Sequence, residues 1–216
     1  MNPDPTGLSP IQIRERLQAA QGEIGLRGSG HLSRVRGDHD LNPDLLPKGP
    51  LKLASVLVPL VLRPGEITVL LTKRTAHLQA HAGQISFPGG GIEECDVDAV
   101  ACALRETEEE IGLPREHVEV VGRLDTYVVR TGFQVTPVVG LVTPPFAMKV
   151  DDFEVAEVFE VPLSFILDRG NHERKMREDA GGLKREFWVM PYQDYYIWGA
   201  TAGMLVNLCE VLRDAG

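Results

Sequence analysis

The stretch RETEEEIG, residues 105–112, places four glutamates within five consecutive positions. Carboxylates three or four residues apart on a helix repel each other by about 0.2–0.5 kcal/mol per pair. At about 100° per residue, Glu106, Glu109 and Glu110 share one narrow face, whereas Glu108 lies apart from them. Most charge runs of this kind are simply hydrated. Three hard oxygen donors on one face also suit Mg²⁺ or Mn²⁺, so the sequence around the run must decide between the two interpretations.

The helix that carries this run is expected from about residue 97 to residue 112. Its apolar side lies opposite the carboxylates and predicts the face packed against the core; it comprises Val97, Val100, Leu104 and Ile111. Asp96 stands where the helix begins and is expected to cap it. Arg105 flanks the acidic face, where its guanidinium can donate a forked pair of hydrogen bonds to carboxylates. The preceding glycines, in FPGGG at 87–91, bring bare backbone close to that face, so that a carbonyl can join a metal's ligands.

The rest of the chain predicts an α/β fold, with a mixed sheet between helices. A strand pair begins at Leu51, and Pro59 within it indicates a bulge or an edge position. Further strands, a charged hairpin around residues 181–182 and a last helix follow; Trp198, just before that helix, is expected in the core. We divide the chain into an N-terminal arm at 1–48, with a short helix and a polar connector, and one domain at 49–216 that includes the C-terminal helix.

Composition narrows the classes of function. A net charge of −9 disfavours a nucleic-acid partner, because binding to phosphates requires clustered Lys and Arg. The three cysteines form no CxxC pair, which fits a reduced, cytoplasmic setting. No apolar run approaches the ~20 residues that span a membrane, and the N-terminus lacks the features of a signal peptide. A nucleophile elbow and a P-loop are also missing from the sequence, which disfavours covalent hydrolysis.

The glutamate run and its surroundings resemble a known motif. Gly90-x5-Asp96-x8-Arg105-Glu106-Thr107-x-Glu109-Glu110-x-Gly112-Leu113 is similar to the Nudix box, G-x5-E-x7-R-E-U-x-E-E-x-G-U. It departs at Asp96, where Glu is usual, and in one additional residue before Arg105. The resemblance favours metal binding over simple hydration of the run. It implies an α/β/α sandwich, a divalent metal and hydrolysis of a diphosphate linked to a nucleoside.

The same resemblance assigns roles to individual residues. Glu106, Glu109 and Glu110 would be metal ligands, with the carbonyl of Gly89 or Gly90 as a further one. Arg105 would hold the glutamates in place. The general base stays open between Glu106 and a glutamate from a later loop. Glu154 is the candidate there, and Glu157 is a weaker one.

A second resemblance narrows the substrate. LLTKRTAHLQAHAGQISFPGG, residues 70–90, is similar to the signature of coenzyme A diphosphatases, LLT-x-R-[SA]-x3-R-x3-G-x3-FPGG. Thr75 replaces the small residue and Gln79 replaces the second arginine. The resemblance implies that Arg74 contacts phosphate, with Gly89 and Gly90 beside the substrate. It also implies that coenzyme A or its derivatives are cleaved to 3′,5′-ADP and 4′-phosphopantetheine or its acyl form.

Two alternatives accompany this prediction. Because glutamine lacks the charge and geometry of arginine, Gln79 leaves open another nucleoside diphosphate derivative, such as ADP-ribose, NADH or a nucleotide sugar. A catalytically silent Nudix domain that senses a ligand is the other alternative, which the complete glutamate set disfavours. The N-terminal arm is interpreted either as a cover over the pocket or as a contact in a homodimer.

Overall fold

The apolar run that begins at Leu51 forms the centre of a large mixed sheet. The computed structural model describes residues 6–25, 35–77, 82–179 and 181–214. Within these residues the sheet has nine strands, β1 (Arg36–Gly37), β2 (Lys52–Arg63), β3 (Glu66–Arg74), β4 (Ile85–Ser86), β5 (Gly89–Gly91), β6 (Val118–Arg123), β7 (Tyr127–Val129), β8 (Phe133–Val142) and β9 (Val155–Pro162).

A smaller antiparallel sheet follows near the C-terminus, and the described residues also form four α-helices. The smaller sheet comprises β10 (Glu173–Glu178), β11 (Lys184–Tyr192) and β12 (Tyr195–Trp198). The helices are α1 (Pro10–Gly25), α2 (Ala99–Ile111), α3 (Leu163–Leu167) and α4 (Gly199–Asp214). The predicted strand pair, the charged hairpin and the last helix are all confirmed.

Strand β2 is the hub of the large sheet. It runs parallel to β8 from Lys52 to Val61 and antiparallel to β5 and then to β3 on its other side. The expected bulge at Pro59 is absent, because its pairing with Gly140 of β8 keeps a regular register, but Pro59 does stand where the other side of β2 is locally unpaired. The Leu57 amide donates to Pro88 at 2.9 Å, so the nitrogen of Pro59, two residues on, faces the same side of β2. On that side, the pairing of β2 with β5 ends at Val56, and its pairing with β3 begins only at Leu60. The N–H group that proline lacks would therefore have had no partner in either ladder.

Helices cover both faces of the large sheet. Alternate side chains of β2 point to opposite faces: Leu57 and Val61 lie in a core shared with α2, whereas Val58 and Leu60 lie in a core shared with α1, α3 and α4. Strands therefore contribute to two hydrophobic cores at once, which explains their nearly continuous apolar sequence. The predicted α/β/α sandwich around a mixed sheet is confirmed.

Helix α2 begins two residues later than expected. The Asp98 carboxylate accepts the amide of Ala101 at 2.8 Å and is the N-cap. The prediction that Asp96 caps the helix is therefore wrong. Its carboxylate accepts hydrogen bonds from Arg105 instead. Val97 precedes the helix and is 91% exposed, so its assignment to the apolar face is also wrong. The remaining residues of that face do pack inward, and Gly112 ends the helix in the left-handed conformation at φ 66°.

Residues 35–45, before β2, are packed along the domain. Strand β1 pairs with β7, and Arg36 forms ion pairs with Asp125 at 2.7 Å and Glu210 at 2.5 Å. Asp44 accepts hydrogen bonds from Arg185 of β11 at 2.7 and 2.8 Å. The division between residues 48 and 49 stays a prediction. In the described part of the chain, none of the helices is long and apolar enough to span a membrane.

Candidate active site

Three glycines of β5 lie against the acidic helix. They pair with Ala54–Val56 of β2, and the Ser55 hydroxyl lies 2.6 Å from the carbonyl of Ala99 at the start of α2. A Cβ atom on Gly90 would lie 2.5 Å from the carboxyl carbon of Glu106. At Gly89, whose φ is 152°, it would lie 2.4 Å from the Ser55 carbonyl oxygen. A side chain at Gly90 would thus displace the Glu106 carboxylate, whereas glycine at position 89 is required by its φ and by the close approach to β2.

Glu110 is the most enclosed of the glutamates. Its side chain is buried, accepts the Gly89 amide at 3.1 Å and lies 3.6 Å from the Arg74 guanidinium. Burial raises the pKa of Glu110 to about 7, although the Gly89 hydrogen bond and the charge of Arg74 oppose the shift. Deprotonation of this carboxyl therefore depends on positive charge nearby.

Arg105 holds the other two glutamates. Its guanidinium lies 3.0 Å from carboxylate oxygens of Glu106 and of Glu109, and it forks onto Asp96 at 2.8 and 3.0 Å. These hydrogen bonds lower the pKa of Asp96 to about 2. Partial burial raises the pKa of Glu106, against the effect of Arg105. The Glu109 side chain is 59% exposed. Glu108 pairs instead with Arg115 at 2.7 Å, as its separate position on the helix predicts.

The carboxylates have the right chemistry for a divalent cation but are not gathered into a complete ligand set. Among the described residues, no cluster of three or more His, Cys, Asp or Glu side chains forms a ready metal site. Glu109 is turned to Arg105 and Glu110 to Gly89. All three predicted ligands nevertheless lie on the helix face that Gly89 and Gly90 border. The donor set, hard oxygens beside exposed backbone, fits Mg²⁺ or Mn²⁺.

Glu154 is brought to the same place from a distant loop. Its carboxylate lies 3.6 Å from Arg74, and its carbonyl accepts the Thr75 amide at 3.0 Å. The Thr75 hydroxyl, which is buried, donates to the carbonyl of Phe153 at 2.8 Å. The same loop caps the end of α2, because the amide of Asp151 donates to the Glu110 carbonyl at 2.9 Å. Neighbouring loop and strand groups thus fix where Glu154 stands.

A cleft of about 640 Å³ opens beside the glycine strand. Arg74, Gly89 and Gly90 line it, together with residues from the small sheet and from the segment before β2. Trp198 also lines the cleft and is only partly buried, so its expected place in the core is wrong. Gln79, which replaces the arginine of the substrate signature, lies outside the described residues.

Sequence reasoning missed part of this cleft. Asp38 and Asn42 reach it from the segment before β2, and Arg177 and Phe187 reach it from the hairpin. In sequence the hairpin is marked only by its charge, since the first strand reads ERKMRE. That pattern gives no sign that the hairpin faces the glycine strand.

Comparisons with known proteins identify the family of this chain. The NUDIX domain family matches residues 51–181, so the chain belongs to the Nudix family. The uncharacterized Nudix hydrolase NudL of Cronobacter sakazakii is 46% identical over 155 residues, covering 72% of this chain and 80% of that protein. The NudL protein of Escherichia coli K12 is 43% identical with the same coverage. A solved C. elegans Ap4A hydrolase is 22% identical and aligns with a TM-score of 0.45, covering 51% of this chain and 80% of that chain.

Proposed function

We propose that the protein is a Mg²⁺- or Mn²⁺-dependent diphosphatase that hydrolyses coenzyme A and its derivatives to 3′,5′-ADP and 4′-phosphopantetheine or its acyl form. One observation carries the proposal. The glutamate face of α2 meets the glycines of the substrate signature, and the same glycines line the cleft, so the cleft borders the strand that separates it from the glutamates. The resemblance of residues 70–90 to the coenzyme A diphosphatase signature supports the choice of substrate.

Arg74 is the residue best placed to bind the diphosphate. It lines the cleft, and its guanidinium lies 3.6 Å from the carboxylate of Glu110 and 3.6 Å from that of Glu154. Its Nε is buried and has no hydrogen-bond partner among the described residues. A buried donor left unpaired costs free energy that an incoming acceptor restores. Guanidinium groups pair with phosphate oxygens through two parallel hydrogen bonds, so a substrate diphosphate would satisfy this donor.

The metal would be held by Glu106, Glu109 and Glu110, with the Gly89 or Gly90 carbonyl as a further ligand. When bound, a divalent cation supplies positive charge against the diphosphate oxygens and makes water more acidic. Arg105 keeps Glu106 and Glu109 on the side of the helix that faces the glycine strand. Its own orientation is fixed by Asp96, which ties the loop before α2 to the site.

The reaction adds one water across the diphosphate. The water oxygen bonds to one phosphorus, the bond from that phosphorus to the bridging oxygen breaks, and the second phosphate leaves with that oxygen. A carboxylate takes a proton from the water. Glu154 is favoured because it is 44% exposed and lies beside the phosphate-binding Arg74. Glu106 is the alternative, although it is confined between Arg105 and Gly90.

Product analysis tests the proposal. The purified protein is incubated with coenzyme A, ADP-ribose or NADH in Mg²⁺, Mn²⁺ or EDTA, and products are identified by chromatography and mass spectrometry. We expect metal-dependent release of 3′,5′-ADP from coenzyme A well above turnover of the other two compounds. Preferential turnover of ADP-ribose or NADH would show that coenzyme A is not the substrate, while diphosphate hydrolysis would stand as the reaction. Absence of turnover would favour a ligand-sensing domain.

A matched pair of variants tests the metal face. Glu109→Gln removes one formal charge from the proposed ligands and should lower kcat at least about 100-fold while the protein folds normally. Glu108→Gln makes the same change one residue earlier, where the side chain pairs with Arg115, and should leave turnover within about twofold. Equal turnover of both variants at saturating Mg²⁺ would show that the ligand assignment is wrong.

A further inference from the structure

The three-stranded sheet presents a basic and aromatic surface to the cleft. The strand register places Arg177 opposite Arg185, with Phe187 and Trp198 on the same face of the sheet. The Phe187 and Trp198 rings meet edge to face with centroids 5.6 Å apart. The Arg177 guanidinium carbon lies 5.0 Å from the Trp198 centroid and 5.9 Å from that of Phe187. All four side chains line the cleft.

Among the residues that the structure describes, no acidic side chain pairs with Arg177. Arg74 lies near Glu110 and Glu154, and Arg185 is held by Asp44 and Asp179 at 2.7 and 2.8 Å. In contrast, Arg177 has no carboxylate within ion-pair distance in the described part of the chain. Aromatic rings hold its guanidinium instead, which leaves the N–H donors at the edge of the group free.

We propose that Arg177, supported by Trp198, binds a phosphomonoester on the nucleoside part of the substrate. A guanidinium that lies over an aromatic ring can present two parallel donors to a phosphate dianion. The neighbouring indole and phenyl rings offer flat apolar surface to a nucleobase. Arg177 thereby selects nucleotides that carry a phosphate besides the diphosphate.

This inference rests on the proposed function for its substrate. The adenosine of coenzyme A carries a 3′-phosphate, which ADP-ribose and NADH lack. Selection at Arg177 would therefore compensate for the uncharged Gln79 in the substrate signature, because discrimination would be made at the nucleoside. The subsite predicts preference for coenzyme A over dephospho-coenzyme A, which differs from it by that phosphate alone.

A binding experiment tests the subsite without turnover. The full-length protein in EDTA is titrated with 3′,5′-ADP and with 5′-AMP by isothermal titration calorimetry. We expect the wild type to bind 3′,5′-ADP at least about tenfold more tightly, the range of a charge-assisted hydrogen bond. Arg177→Gln should reduce this ratio to within about twofold and leave 5′-AMP binding unchanged. Because Arg177 is exposed, the variant is expected to fold.

Arg174→Gln is the matched control. Arg174 belongs to the same strand but lies on the other face, over the Trp188 ring at 5.8 Å, so its loss should leave the ratio unchanged. Equal binding of the two nucleotides by the wild type, or an unchanged ratio in Arg177→Gln, would overturn the subsite.

Kinetics separate failure of the subsite from failure of the proposed function. With Mn²⁺, we expect Arg177→Gln to lower kcat/KM for coenzyme A about 10- to 100-fold. The kcat/KM for dephospho-coenzyme A should stay within about twofold of the wild-type value. Equal losses for both compounds would overturn the subsite while the diphosphatase function stands. If neither compound is hydrolysed but Arg177 still determines the preference for 3′,5′-ADP, the subsite stands and the substrate assignment fails.

Discussion

Arg105 donates two hydrogen bonds to the carboxylate of Asp96, at 2.8 and 3.0 Å, although the two residues are nine positions apart in the chain. The contact fastens the loop before α2 to the acidic face of the helix. The hydrogen bonds from Arg105 lower the pKa of Asp96 to about 2. In unfolded protein the pKa of aspartate is about 4. The pair thus contributes stability that is complete above pH ~4 and is lost as the pH falls toward 2.

We therefore predict that Asp96→Asn destabilises the protein between pH 5 and 8 by an amount independent of pH. The difference in unfolding midpoint from the wild type should disappear between pH 4 and pH 2, because the wild-type carboxylate is then protonated. The difference in midpoint is measured by urea unfolding at each pH, with tryptophan fluorescence as the signal. A difference that grows toward low pH would contradict the assignment of Arg105 as the partner of Asp96.

Glu110 should show the opposite pH dependence in metal-free protein. Its pKa in the folded state, about 7, lies above that of an unfolded glutamate, so the wild type loses stability as the pH rises from about 4.5 through 7. In EDTA, Glu110→Gln should match the wild type near pH 5 and exceed its free energy of unfolding by about 2–3 kcal/mol at pH 8.5. Mn²⁺ should then stabilise only the wild type.

Chemical unfolding at the two pH values, with and without Mn²⁺, makes this measurement. Glu108→Gln serves as the control, since Glu108 pairs with Arg115 at the surface and should show neither effect. Equal stability of Glu110→Gln and wild type at pH 8.5 in EDTA would mean that the Glu110 carboxylate is stabilised by something other than metal.

The local parts of the site were predictable because helix periodicity is local. The spacing of Glu106, Glu109 and Glu110 placed them on one face, and Glu108 was correctly set apart. The cap was misassigned because Asp96 and Asp98 are equally good N-cap residues in sequence. Only the three-dimensional position of Arg105 shows that the Asp96 carboxylate pairs with this arginine and does not cap the helix. Asp96 contacts Arg105 although aspartate is shorter than the glutamate usual in the Nudix box, and although the spacing between the two residues is one residue longer than in that motif.

The composition of the cleft was not predictable, because it depends on contacts between distant segments. Asp44 and Arg185 are 141 positions apart, yet their ion pair fixes the segment before β2 against the hairpin. Trp198 was expected in the core because aromatic residues usually bury. Its ring instead ends at the cleft, where Arg177 covers it. Hydrophobic pattern assigns residues to a face but does not identify the element that covers that face.

The close approach of β5 to α2 predicts different outcomes for adjacent glycines. Gly90→Ala places a methyl group 2.5 Å from the Glu106 carboxyl carbon, so the carboxylate must move. At Gly91 a methyl group meets nothing within 4 Å. We expect kcat to fall at least about 100-fold in Gly90→Ala and by less than about threefold in Gly91→Ala, because misplaced catalytic groups lose turnover steeply. Steady-state kinetics at saturating Mn²⁺ makes the comparison, and equal activities would contradict the arrangement.

Thr75 provides a test of which carboxylate acts as the base. Its hydroxyl holds the Phe153 carbonyl at 2.8 Å, next to Glu154. Thr75→Val keeps the shape and removes the donor, which leaves a carbonyl unpaired at a cost of about 1–3 kcal/mol. If Glu154 is the base, Thr75→Val should lower kcat about tenfold with little change in KM, and Thr75→Ser should restore it.

The pH–rate profile distinguishes this positioning role from general destabilisation. Glu154→Gln should remove the acidic limb of the kcat profile, whereas Thr75→Val should keep that limb at a lower plateau, because the base is present but displaced. Should both variants retain wild-type kcat and an unchanged limb, Glu154 would be excluded and proton removal would fall to Glu106. The hydrogen bond from Thr75 would then serve only to anchor the loop that caps α2.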